Sequence, residues 1–105
     1  MKNMSNTNKL IADYIGLNLI RYGKFWAYKK DDIIILLKDW QPHKKIGQLF
    51  FALEIIGEKL GKSSYIEIIK EIESKYRCSV TNISTLHEGI IKFIIETKKP
   101  KNNKI

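Results

Sequence analysis

The sequence predicts an α+β domain in which an antiparallel sheet of two hairpins accompanies three helices. Three observations point there. Apolar residues recur at helical spacing from Ser5 to Ile15 and again from Ile46 to Leu60. Aromatic and β-branched residues crowd Tyr22 to Lys38 around a polar turn. A Thr85-Leu86-His87-Glu88 motif of capping-box form introduces a last apolar stripe. With 105 residues the chain fits one domain, 1–99, around a single modest core.

Each element follows from its residues. In the first helix Leu10, Ile11, Tyr14 and Ile15 share a stripe, Ser5 or Thr7 caps the start, and Gly16 stands where a C-terminal glycine belongs. Phe25, Trp26 and Tyr28 then precede a polar turn at Lys30 to Asp32, and Ile33 to Leu37 is unbroken apolar, which reads as two strands. The second helix puts Ile46, Leu49, Phe50, Leu53, Ile56 and Leu60 on one face, with Gly61 closing it. Tyr65 to Ile83 carries two patterns. Ile66, Ile69, Ile72 and Tyr76 fit a helix, whereas Ile66 and Ile68, then Tyr76, Cys78 and Val80, alternate as strands do. Isoleucine density tips the reading to a second hairpin turning near Glu73 to Lys75. Leu86, Ile90, Phe93 and Ile94 supply the buried face of the last helix, and residues 100–105 are expected to form a basic, disordered tail.

Composition bounds the function. An apolar fraction of 44% with 29% charged residues belongs to a globular chain. No apolar run reaches the roughly 18 residues of a membrane span, and MKNMSNTNKL lacks a signal-peptide core, so a cytosolic protein without membrane contact is expected. Lone Cys78 makes no internal disulfide, and with two histidines no Cys/His zinc site can be assembled; no cofactor is expected. A net charge of +8 favours an anionic partner, whether nucleic acid, nucleotide or an acidic protein surface. Richness in Ile, Lys and Asn, as AT-rich coding produces, is the competing explanation.

Candidate sites are weighed against plain structural roles. GEKLGKSS, residues 57–64, has three residues between its glycines where a phosphate-binding loop needs four, and it leaves a helix instead of entering one, so it is rejected as an ATP site. DWQPHKKIGQ, residues 39–48, is the best candidate. A helix start carries partial positive charge, and Lys44 and Lys45 in its first turn would each cost about 0.3–1 kcal/mol unless an anion sat there. Trp40 could then stack on a base while His43 donates a hydrogen bond. Alternatively Trp40 plugs the sheet edge, Pro42 sets the helix start and the lysines are solvated. Trp26, Tyr28, Tyr76 and Arg77 form a weaker group, able to stack a nucleobase if exposed on a sheet, or to pack a core or interface if not. Trp26 and Tyr28 share a parity opposite to Phe25 and Ala27. His87 reads as an ordinary first-turn residue, Cys78 as a small buried hydrophobe, and no nucleophile or acid–base motif stands out, so the protein is not expected to be an enzyme.

NKLIADYIGL, Asn8 to Leu17, resembles the opening helix of the phage ABA-sandwich family. DWQPHKKIGQLFFALEIIGEKL is similar to that family's central segment, with Ala52, Glu54, Ile55 and Ile56 matching an Ala-x-Glu-aliphatic-aliphatic core. The chain departs from the pattern at Gly57 and in a shorter β region after the second helix. The resemblance implies a helix/sheet/helix sandwich and a phage protein acting in the cytoplasm of an infected bacterium. By analogy with other small phage proteins it suggests a non-enzymatic anti-defence sponge, a homo-oligomer that sequesters a cyclic-nucleotide immune signal. Two alternatives are kept: a nucleic-acid-binding accessory protein, and an inhibitor that docks on a host protein.

Overall fold

The computed structural model describes residues 4–98. The order is α1 (Met4–Tyr14), β1 (Asn18–Tyr22), β2 (Phe25–Lys30), β3 (Ile33–Leu36), a 3-10 turn (Leu37–Asp39), α2 (Ile46–Leu60), α3 (Tyr65–Tyr76) and α4 (Ile83–Lys98). It is an α+β fold, but with four helices and one three-stranded antiparallel meander of order β1-β2-β3. The expected tail at 100–105 lies outside the described residues.

The expected second hairpin is instead α3. Tyr65, Ile68, Ile69, Ile72 and Tyr76 follow helical spacing, and Ile68 and Ile72 are fully buried while Ile66, the residue that suggested alternation, is exposed. The missed strand is β1. Tyr22-Gly23-Lys24-Phe25 forms a tight turn with Gly23 at φ +65°, joining β1 to β2. The expected turn between β2 and β3 is present at Asp31-Asp32.

Two glycines do the expected work at helix ends. After α1, Leu17 N–H reaches back to the Ala12 carbonyl (2.9 Å) with Gly16 at φ +86°; after α2, Lys62 N–H bonds the Gly57 carbonyl (2.8 Å) with Gly61 at φ +72°. The start of α4 lies earlier than expected. Asn82 Oδ1 accepts from the Thr85 amide (3.0 Å), and Thr85 Oγ1 accepts from the Asn82 amide (3.1 Å). The reciprocal cap is therefore Asn82 with Thr85, not Thr85 with Glu88.

The core lies among the four helices and one face of the sheet. Ile11, Ile15, Leu49, Leu53, Ile56, Ile68, Ile72, Ile90 and Ile94 fill it, and the sheet adds Tyr28 with partly buried Ile35. Helix α3 approaches α4 closely, with Gly89 against Ile72. Ala27 is fully buried yet stands outside this cluster, shielded on the other face of the sheet. On that face Tyr22, Phe25 and Ile34 are exposed, so the layers are helices against one sheet face, not the expected helix/sheet/helix sandwich.

Candidate binding surface

The loop into α2 is built from the inside. Trp40 is 4% exposed, its ring stands edge-on to Tyr28 with centroids 6.1 Å apart, and its Nε1 donates to the Asn8 carbonyl (2.8 Å). Both rings are core, so neither is available to stack on a base. Burial pushes the Tyr28 phenol above its ordinary range, Asp13 adds to the rise, and Lys9 opposes it. His43 is half-buried and its Nδ1 accepts from the Asn8 amide nitrogen (2.8 Å). The Asn8 amide oxygen accepts in turn from His87 Nε2 (3.0 Å), which is buried on α4 and, because that helix starts at Ile83, lies beyond the first turn expected of it.

The outside of the loop is basic. Lys44 and Lys45 are exposed as expected, but α2 begins at Ile46, so they immediately precede its first turn. Lys45 Nζ donates to the Asp39 carbonyl (3.3 Å), and Gln48 folds back to the Gln41 amide (2.7 Å) and the Asp39 carbonyl (2.8 Å). A Cβ on Gly47 would meet nothing within 4 Å, so the first turn of α2 is open on that one side.

The sheet carries a second basic surface that the sequence reading only partly located. Register places Arg21 opposite Trp26 and Tyr22 opposite Phe25. Directly opposed residues share a face, so Trp26 with Arg21 lies on the Tyr28 side, and Tyr22 with Phe25 lies on the outer side. Trp26 is 46% exposed with the Arg21 guanidinium 5.0 Å from its ring centroid. Phe25 is 52% exposed with Lys38 Nζ 5.5 Å from its centroid. Ile20, Ala27 and Leu36 run across the middle of the outer face, and exposed Lys29 lies two residues beyond Ala27. The outer face is thus an apolar platform with an aromatic pair at one end and cations around it. The Gly23 turn between apolar flanks was the signal for this hairpin.

Two further expectations are corrected. Arg77 is exposed at φ +51° on the C-terminal end of α3, whose principal neighbours are α2 and α4, so it does not join Trp26 in one group. Tyr76 packs beside the core, and its buried hydroxyl has no hydrogen-bond partner. Cys78 is exposed in the loop after α3, not buried on a strand. Among the described residues no group of three His, Cys, Asp or Glu could hold a metal ion, and no helix is long and apolar enough to cross a membrane. Comparison with protein-family models, curated proteins and solved structures finds no match.

Proposed function

We propose that the protein is a non-enzymatic binding protein for an anionic partner, and that the partner of its sheet is a single strand of nucleic acid. The observation that carries this reading is the outer face itself: Tyr22 and Phe25 side by side and half exposed, with Lys38 over one ring and Lys29 on the same face. An open sheet presenting adjacent rings can stack successive bases, while lysines around it meet the phosphates. Such stacking contributes about 1–3 kcal/mol per base and tolerates any sequence. A flat platform suits an extended strand better than a small ligand, which needs concave walls.

A gel shift with a short oligonucleotide at two salt concentrations tests it. Binding at low salt that weakens steeply at high salt is expected, and Phe25→Ala should weaken it about tenfold or more. No shift at either salt concentration refutes the reading.

A second reading concerns the start of α2. Lys44 and Lys45 stand exposed beside a first turn open at Gly47, which favours capture of a small anion there. The phage resemblance makes a cyclic nucleotide serving as an immune signal the ligand to try first. With Trp40 in the core, His43, Lys44 and Lys45 carry this reading without a stacking ring. Native mass spectrometry before and after adding cyclic nucleotides tests it. An unchanged mass across the panel, with no nucleotide released on denaturation, counts against it.

A further inference from the structure

We infer that His43, Asn8 and His87 form an acid-sensitive clasp, which closes α1, the loop into α2 and α4 together only while one of the two rings keeps an unprotonated nitrogen. The Asn8 amide stands between the rings, with His43 Nδ1 2.8 Å from its nitrogen and His87 Nε2 3.0 Å from its oxygen. An amide offers N–H on one side and a carbonyl oxygen on the other. One ring must therefore accept and the other donate. In the arrangement seen His43 accepts; turning the amide over makes His87 the acceptor, and both bonds survive.

The first proton is accommodated by that freedom, because either ring can become a cation while its neighbour remains the acceptor. A second proton is not. An imidazolium has donors alone, so with both rings charged one N–H must point at the amide N–H. Asn8 and His87 are buried, which keeps water from replacing the lost bond at their end, and the ring centroids lie 6.1 Å apart, where two positive charges repel. Half-buried His43 is the member able to leave. It shares its loop with Trp40, whose Nε1 donates to the Asn8 backbone carbonyl, and with Lys44 and Lys45. Opening the clasp thus loosens the segment that delivers both lysines to the start of α2.

Charged groups on the surrounding elements are exposed: Lys9 with Asp13 on α1, Asp39, Lys44 and Lys45 on the loop, Glu88 on α4, and Glu54 as the first charged residue of α2. The Tyr28 phenol stands behind Trp40 on the sheet. From α3, Lys75 meets Glu96 about two and a half turns beyond His87. These two histidines are the chain's full complement, so its proton uptake between about pH 7 and pH 5 reports chiefly on them.

Unfolded histidines take up their protons near pH 6.5, each independently of the other, whereas the closed clasp holds one. Below that pH the unfolded state binds more protons, so stability falls as pH falls. The clasp needs no ligand, and its test uses the protein alone, in urea titrations at pH 7 and pH 5. The wild-type midpoint should drop by about 0.5–1 M on acidification, with Trp40 emission shifting to the red at lower urea. Asn8→Asp reverses the sign: a carboxylate accepts from two imidazolium rings at once, so this variant should gain stability from pH 7 to pH 5. His43→Gln, which leaves one titrating ring and keeps an amide able to donate or accept, should flatten the dependence. A wild-type midpoint that holds or rises on acidification overturns the inference. So does a folded Asn8→Asp or His43→Gln protein that loses as much stability as wild type.

Discussion

Asn8 ties three parts of the chain together. Its side-chain amide bridges His43 before α2 and His87 on α4, and its backbone carbonyl accepts from Trp40. A polar group in such a setting is costly to remove, because its buried partners lose hydrogen bonds that water cannot replace. Asn8→Ala should lower stability by about 2–3 kcal/mol in urea denaturation, whereas Lys44→Ala at the surface should stay within about 0.5 kcal/mol. The phenols of Tyr28 and Tyr76 give a second prediction. Burial raises both above their ordinary values. In the unfolded chain they ionise near pH 10, before they do so in the fold, so the unfolded state binds fewer protons above that pH. Their contribution is complete below about pH 10 and is lost as pH rises through the folded values. Denaturation midpoints should fall between pH 9 and pH 11, and Tyr28→Phe should flatten that fall.

At the scale of elements, the α3–α4 contact is the tightest test of packing. A Cβ on Gly89 would sit 2.7 Å from Ile72 Cγ2, a branch next to a fully buried backbone with little room to retreat. Overpacking of this kind costs about 1–3 kcal/mol, against the roughly 1 kcal/mol that alanine gains over glycine in a helix. Gly89→Ala should therefore destabilise, and in an Ile72→Ala background the same change should become neutral or favourable. Helix α2 was legible because Leu49, Leu53 and Ile56 repeat at three and four residues and Gly61 ends the pattern. Helix α3 was not, because exposed Ile66 beside buried Ile68 imitates a strand. Strand β1 escaped notice because the sheet is apolar on both sides, which removes the alternation that announces a half-buried strand. Of the candidate residues, Lys44, Lys45 and Trp26 are exposed, the two lysines just before α2 and not in its first turn. Trp40 and Tyr28 take the structural alternative weighed for them and not the stacking role. The sequence could not decide between the two, because their burial depends on Asn8 and on helices distant in sequence. The one local hint was an asparagine inside α1, where that residue is a poor helix former and so implies another task.

The whole molecule combines a dense helical core with a lightly attached sheet. Among the described residues, only Leu17, Tyr28 and Ile35 link the strand region to the central cluster, whereas all four helices contribute to it. Cooperative units with few buried contacts open at lower free energy. Amides of β1 and β3 should therefore exchange with deuterium faster than those of α2 and α4. The net charge of +8 acts at this scale too, drawing polyanions over a longer range when salt is low.

The opposite placements of the two tryptophans turn the chain into its own optical instrument. Trp40, sealed beside Tyr28, should emit at short wavelength, resist iodide quenching and shift to the red when the core melts. Trp26, beneath Arg21, should emit at longer wavelength and yield to iodide while the fold stays intact. One spectrum can therefore separate a change around the exposed ring on the helix-facing side of the sheet from loss of the core, without attaching a dye.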